Sequence, residues 1–412
     1  MVKSRRGRKL LFFLLYLCEG APIGYIWWAL PSKLKLESVS IENISSLLAL
    51  VAIPWAFKFL WAPMIDSLRT TKFGFKAWIL VSQILMAASI MPLLWLSPVD
   101  DFDIYLLLLT LHAFFAATQD VAIDGFAISV TPTHERGAVN AWMQAGMLTG
   151  RSIFGALALR FDYLVGGNAI AALLALIVAV GLVLIVSVNE STQEAEGCLT
   201  RRRPMFMDLR QVLAMRATWL GAAFALVSGA GFEAVGGAAG PFLISKLPHG
   251  TPDSIASVYV GDFYLIAVAL MLSGGFVGGS ICDRFGRLEA LAGTVVALAW
   301  TIILTAGIDT FADIEAGVFF ALLLALFFLI GVFVAASYAL FMDLAGPVLA
   351  ATQFSAFMGA TNLCESWSIA LFGALFSHLG YAASFSIMAG ISLSSLPILK
   401  AIKQGRYTAR VD

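Results

Sequence analysis

The sequence predicts an all-α integral membrane protein of twelve transmembrane helices, arranged as two pseudo-symmetric six-helix bundles. Three observations carry that expectation. Of the 412 residues, 60% are hydrophobic and only 13% charged, against roughly 25% charged in an ordinary soluble domain, and the mean hydropathy is +0.89. The chain divides at its charge and Pro/Gly clusters into twelve apolar segments, each near the ~20 residues that a hydrocarbon core requires. Its Lys and Arg residues fall almost entirely on one side of those segments. Such a composition excludes a soluble enzyme, a nucleic-acid binder and a disordered chain. The 26 basic and 26 acidic residues cancel, so no global field selects a charged partner.

The segments lie near 10–30, 43–65, 77–97, 104–128, 138–159, 164–188, 217–244, 257–281, 288–308, 317–341, 350–375 and 380–399. The first follows Lys3, Arg5, Arg6, Arg8 and Lys9, as a signal peptide's apolar stretch would, but it is too long and lacks a small-x-small cleavage site, so it reads as a retained helix. With the N-terminus inside, the cytoplasmic stretches carry 20 Lys/Arg and the opposite side only four: Lys33, Lys35, Arg160 and Lys246. That split puts both termini in the cytoplasm of a cell-membrane protein. The longest hydrophilic stretch divides the chain into an N-terminal bundle (1–189), a cytoplasmic linker (190–216) and a C-terminal bundle (217–412). The linker's Arg201, Arg202 and Arg203 set topology or meet anionic lipid. Cysteines at 18, 198, 282 and 364 are far apart, which signals neither a disulfide framework nor a zinc site. No metal and no cofactor is expected.

The two bundles echo each other. Phe154-Gly155-Ala156-Leu157 in the fifth span is repeated as Phe372-Gly373-Ala374-Leu375 in the eleventh; at nearly the same offset Asp66 answers Asp283 and Asp124 answers Asp343. Duplicated halves are the arrangement of many secondary transporters.

Ionisable groups inside a membrane are costly and mark functional sites by default. The inventory is Glu19 in span 1, Lys58 in span 2, Asp120 and Asp124 in span 4, Arg151 in span 5, Glu233 in span 7, Asp262 in span 8 and Glu365 in span 11. Every third span lacks one, as expected if spans 3, 6, 9 and 12 face lipid. Glu19, Arg151 and Glu365 lie about half way along their spans, and Glu233 somewhat beyond. Asp120 and Asp124 share one helix face. Lys58 lies at similar depth, so it pairs with one of them as a structural tie, or the cluster couples proton entry to conformational change. Asp262 is near the outer end. Gln119, Asn140, Gln144, Gln353 and Asn362 add amides that must face protein or a wet cavity. Tyr25, Trp27, Trp28, Trp142 and Trp367 stack on a solute or belong to packing and the interface belt. Gly146, Gly150 and Gly155 in span 5, and Gly229, Gly231, Gly236, Gly237 and Gly240 in span 7, permit close helix approach or bending.

Between spans 8 and 9 runs Gly279-Ser280-Ile281-Cys282-Asp283-Arg284-Phe285-Gly286-Arg287, where Asp283 is placed to cap the next helix and the arginines to reach carboxylates. It resembles the G-x-x-x-D-R-x-G-R loop of the major facilitator superfamily, whose charge network latches one alternating-access state; the N-terminal counterpart around Asp66 and Arg69 is degenerate. Glu19-Gly20-Ala21-Pro22-Ile23-Gly24, Lys58-Phe59-Leu60-Trp61-Ala62-Pro63, Ala117-Thr118-Gln119-Asp120-Val121-Ala122-Ile123-Asp124 and Glu135-Arg136-Gly137, with Ala351-Thr352-Gln353-Phe354, are similar to its AmpG-like branch. That resemblance implies relatives among muropeptide permeases, acetyl-coenzyme A transporters and siderophore-uptake permeases. The muropeptide permeases typically carry two further C-terminal spans, so the length here is closer to the siderophore-type members.

The reading is a non-enzymatic, proton-coupled secondary transporter, a monomer in the bilayer, which moves a bulky polar or anionic solute such as a siderophore or muropeptide. Its partners are that solute and protons, with no nucleic acid. Arg151, Glu19, Glu233, Glu365, Tyr25, Gln119 and Asn362 are the candidate solute-binding residues. Asp120, Asp124, Lys58, Asp283, Arg284 and Arg287 are candidates for proton coupling or gating. The competing class is a transport-inactive membrane sensor or assembly partner with the same fold. The chain carries no phosphate-cradling ATP loop.

Overall fold

A computed structural model describes residues 4–67, 74–132, 135–161, 164, 167–188, 214–311, 314–344 and 350–408. Nearly all of the expected linker, with Cys198 and Arg201 to Arg203, lies outside the described residues. Every regular element among them is helical. Helix α1 (Arg5–Leu36) starts on a cap in which the Ser4 hydroxyl accepts from the Gly7 N–H at 3.1 Å. Pro22 withdraws one backbone donor in its middle, and three residues later the helix widens into a π-helical turn over Tyr25–Ala29, the kind of local irregularity that a missing ladder bond favours. Helix α2 (Ile41–Leu60) contains Pro54 and tightens into a 3-10 turn at Lys58–Leu60.

Helices α3 (Phe75–Leu94) and α4 (Phe102–Val130) follow. Helix α5 (Arg136–Arg151) continues through a second π turn, Ser152–Leu157, to Arg160. Then come α6 (Gly167–Val186), α7 (Arg216–Ser245, interrupted at Gly229), α8 (Asp253–Phe285), α9 (Arg287–Ile308) and α10 (Ala316–Leu344). Gly286, at φ +90°, makes the corner between α8 and α9, a conformation that costs a residue with a Cβ much more. Gly380, at φ +69°, divides the long run Ala350–Leu393 into α11 (350–379) and α12 (381–393), and α13 (Leu396–Thr408) ends the described chain.

Among the described residues nine helices are long and apolar enough to cross a membrane. One of these, Ala356–Gln404, holds two runs divided at Gly380, and Ala172–Val186 is a shorter apolar helix. With α5, these supply all twelve expected segments.

The chain forms two compact units. The first comprises Met1–Glu37, Phe57–Arg203 and Pro252–Tyr264, the second Ser38–Ala56, Pro204–Thr251 and Leu265–Asp412. In the first, α1 lies directly on α5. A Cβ at Gly20, Gly24, Gly146 or Gly150 would overlap backbone atoms of the opposite helix, so each glycine is a point of backbone contact, as in close-packed membrane helices. Phe12, Phe126, Ile79 and Ile123 fill the space between α1, α3 and α4. The start of α8 belongs to this unit: Trp28 stacks on Tyr264 with ring centres 5.1 Å apart, and Arg160 pairs with Asp262.

In the second unit α7 packs on α11, around an aromatic cluster of Phe242, Phe319, Phe372, Tyr381 and Phe385. The first part of α2 belongs here, since the Ser366 hydroxyl donates to the Ala49 carbonyl at 2.8 Å and the Asn362 amide to the Trp55 carbonyl at 3.2 Å.

Candidate functional site

The charges that sequence places in spans 1, 2, 4 and 5 converge in the first unit. Tyr16 and Glu19 lie three residues apart on α1, and Asp120 and Asp124 four apart on α4, so each pair shares a helix face. Lys58 sits on the 3-10 turn that ends α2, and its ammonium pairs with Asp120 Oδ2. The Tyr16 hydroxyl touches both acids on their other sides, 3.1 Å from Asp120 Oδ1 and 2.6 Å from Asp124 Oδ1. The choice that sequence left open for Lys58 therefore resolves to Asp120, while Asp124 is held by a tyrosine.

Glu19 is 1% exposed, and neither of its carboxyl oxygens has a hydrogen-bond partner. It sits in the combined field of Asp120, Lys58, Asp124 and Arg151. Buried polar atoms are nearly always satisfied, so an orphaned carboxyl surrounded by four charged groups stands out from every other acid described. Arg151 closes the set at the end of α5, half-buried at the entry to the second π turn.

Beside this cluster lies a chain of neutral polar groups. The Gln119 amide donates to Gln83 Oε1, and Gln83 in turn donates to the Val178 carbonyl at 2.7 Å. This ties α4, α3 and α6 together and fixes Gln119 as a bridge between helices. Gly181 leaves the room that Gln83 needs, since a Cβ there would meet its side chain. Two turns away on the same face of α4, buried His112 has Nδ1 3.3 Å from the Met86 carbonyl and 3.4 Å from the Ser89 hydroxyl. Tyr25 meets Tyr105 through their hydroxyls at 3.0 Å.

The remaining candidates belong to the second unit. Glu233 on α7 and Glu365 on α11 both lie near buried Cys364, and the Trp367 indole donates to the Leu226 carbonyl at 2.9 Å, which ties α11 to α7. Gln353 donates to the Thr218 hydroxyl at 2.8 Å. At the α8–α9 corner Arg287 pairs with Asp343 at the end of α10 and donates to the Ala339 carbonyl at 3.1 Å. Asp283 and Arg284 are exposed. Asp283 ends α8 and does not cap α9, whose first position is preceded by Gly286 with no side-chain cap.

Tyr16, Gln83 and His112 were missed by a search for charge. Each is a polar side chain inside an otherwise apolar run, and that was the available signal. Among the described residues no group of three His, Cys, Asp or Glu could hold a metal ion, and Cys18, Cys282 and Cys364 are buried and unbridged.

Comparison with known proteins agrees with this architecture. The family model described as Major Facilitator Superfamily matches residues 10–372. The anhydromuropeptide permease of Escherichia coli is 26% identical over 249 residues, covering 56% of this chain and 50% of that protein. The match thus spans about half of that relative's length. Putative transporter AmpG 4 of Rickettsia conorii is 26% identical over 408 residues, 94% of both chains. Among solved structures, a D-xylose-proton symporter superposes with a TM-score of 0.75 at 14% identity, over 96% of this chain and 97% of its own. That last likeness is one of fold.

Proposed function

The chain belongs to the Major Facilitator Superfamily, and from that membership we propose that it is a proton-coupled secondary transporter. It works by alternating access and moves a bulky polar or anionic solute, of the muropeptide or siderophore kind, across the cytoplasmic membrane. The observation that carries the reading is Glu19: a fully buried carboxyl with both oxygens unbonded, set between the paired Lys58–Asp120 and Arg151. A charge held unpaired in such a place is too costly to keep for structure alone, and a carboxyl that takes up and releases a proton there changes the balance of its whole surroundings. Arg151, with Lys58 beside it, supplies the attraction for an anionic group. Glu19 takes up the proton, and Gln119 and Tyr25 in this unit, with Glu233, Glu365 and Asn362 in the other, are kept as candidates for binding the solute; Gln119, Tyr25 and Asn362 would have to exchange the bonds they make to Gln83, Tyr105 and the Trp55 carbonyl to do so.

The similarity to an anhydromuropeptide permease supports a muropeptide as the first solute to try. The 20-to-4 distribution of its basic residues supports both termini in the cytoplasm, and the protein is taken to act as a monomer. The test is uptake by proteoliposomes offered labelled anhydromuropeptide, a ferric siderophore or acetyl-coenzyme A, with and without an inward proton gradient. Accumulation of one solute that an uncoupler abolishes, and that Glu19→Gln loses while still binding the solute, is the expected result. Flux indifferent to the gradient refutes the coupling; absence of flux with all three solutes refutes transport of these classes.

A further inference from the structure

We infer that the Tyr16 hydroxyl is a two-position hydrogen-bond switch, which donates to Asp120 when Asp124 carries a proton and to Asp124 when it does not, and so sets how tightly Asp120 holds Lys58. This rests on the proton-coupled reading above and deepens it. A phenol has one hydrogen to donate and lone pairs with which to accept. Tyr16 nevertheless meets two carboxyl oxygens, Asp120 Oδ1 at 3.1 Å and Asp124 Oδ1 at 2.6 Å. One hydrogen cannot make two full bonds.

When Asp124 is protonated, its O–H donates to the Tyr16 oxygen, and the Tyr16 O–H is released to Asp120. When Asp124 is ionised, the Tyr16 O–H turns to it, in a charge-assisted bond for which 2.6 Å is an ordinary length. No heavy atom has to move, because the hydroxyl only rotates about its C–O bond. The proton added or removed is the one on Asp124, and no other bond is made or broken.

The consequence falls on Asp120. Its second oxygen is paired with Lys58, and the switch keeps that pair in both of its positions. With Tyr16 donating to Asp120, the carboxylate divides its charge between two donors and Lys58 is held less firmly. With Tyr16 turned away, Asp120 gives its charge to Lys58 alone. The charged groups around the switch are Glu19 on α1, Lys58 on α2, Asp120 and Asp124 on α4 and, further along, Arg151 on α5. A proton on Asp124 therefore makes Lys58 available to an anionic solute. Tyr16 touches no solute in this account; it positions Asp120 and transmits the state of Asp124.

Infrared difference spectra of the purified full-length protein across a pH titration test this, with ring-deuterated tyrosine to isolate tyrosine bands. The expected result in the wild type is the loss of one carboxyl C=O band with rising pH, together with a shift of one tyrosine C–O band at the same midpoint. Asp124→Asn should lose the carboxyl band and leave the tyrosine band fixed. Tyr16→Phe, eluting on size exclusion as the wild type does, should lose the tyrosine shift and change the midpoint of the carboxyl band. Persistence in Asp124→Asn of the particular carboxyl band that shares its midpoint with the tyrosine shift, bands of Glu19 and other acids being left aside, or a wild-type tyrosine band that stays still through that titration, overturns the switch. Gradient dependence of anhydromuropeptide uptake by the wild type is read separately: its absence refutes the coupling, while the infrared bands alone decide whether Tyr16 switches.

Discussion

Gly150→Ala should destabilise the first unit while Gly236→Ala stabilises the second, although both replace a helical glycine with the best helix former. A Cβ built at Gly150 lies 2.8 Å from the Ala21 nitrogen and 3.0 Å from the Gly20 carbonyl carbon, and closer still to the Leu17 carbonyl oxygen. Ordinary contact begins at 3.4 Å, so α1 and α5 must separate by about 0.6 Å at Ala21, and further at Leu17, where packing changes of this size cost about 1–3 kcal/mol. The colliding atoms are backbone, so no rotamer change relieves them and α1 has to move as a body. Helix propensity returns roughly 1 kcal/mol, which leaves a net loss of up to about 2 kcal/mol, toward that upper figure because the clash is with backbone on both sides. For a unit of about 200 residues that lowers the unfolding temperature by up to roughly 8 °C. At Gly236 nothing lies within 4 Å of the added carbon, so only the propensity gain of about 0.5–1 kcal/mol remains. Thermal unfolding in detergent, followed by tryptophan fluorescence, measures both. Equal effects of the same sign would refute the claim that α1 and α5 meet through backbone at Gly150.

The ion pairs make two further predictions. Lys58→Met and Asp120→Asn each leave a buried charge without its main partner and should cost up to about 3–5 kcal/mol, toward the lower figure because the Lys58 side chain is 22% exposed and Asp120 keeps Tyr16. The double variant should recover much of that loss, and additive losses in unfolding temperature would show that the two groups are not coupled. Asp262→Asn breaks a pair whose members are 37% and 41% exposed, so it should change stability by less than about 1 kcal/mol; a larger drop on thermal unfolding would mean the pair is shielded from water.

Hydropathy made the twelve segments legible, because every backbone group in a bilayer must be satisfied within a helix and long apolar runs have no other use. Even the break between the last two long runs was visible, expected between 375 and 380, and the structure puts it at Gly380. The list of intramembrane charges was legible for a similar reason, since each charge is conspicuous against 60% hydrophobic residues. Which charge meets which was not legible, because a pairing depends on the rotation and depth of two helices, and a depth error of one residue turns a side chain by about 100°, the 3.6-residue periodicity of the helix. The π turns at Tyr25–Ala29 and Ser152–Leu157 add such a shift in α1 and α5, and nothing in the residues marked either turn beyond Pro22. The glycines of the fifth span fitted close packing and bending equally well as sequence; Gly146 and Gly150 turn out to be points of backbone contact, whereas Gly236 faces open space.

The repeat that links Asp124 to Asp343 sharpens the difference between the two units. Asp343 is held by Arg287, a group with donors only, whose charge does not change in the physiological range. Gaining a proton on Asp343 weakens that pair and losing it restores the pair. Asp124 is held by Tyr16, which both donates and accepts, so a change of proton on Asp124 reverses a bond instead of breaking it and passes the change on to Asp120 and Lys58. The pair in the second unit is also 40% and 33% exposed and open to screening by salt, while Tyr16, which holds the partly buried Asp124, is itself buried. Equivalent positions in a duplicated fold have thus acquired a fixed tie on one side and a proton-responsive one on the other. On this argument the coupling proton is to be sought in the first unit, and substitutions at Arg287 or Asp343 should alter the rate of uptake without altering its dependence on the gradient.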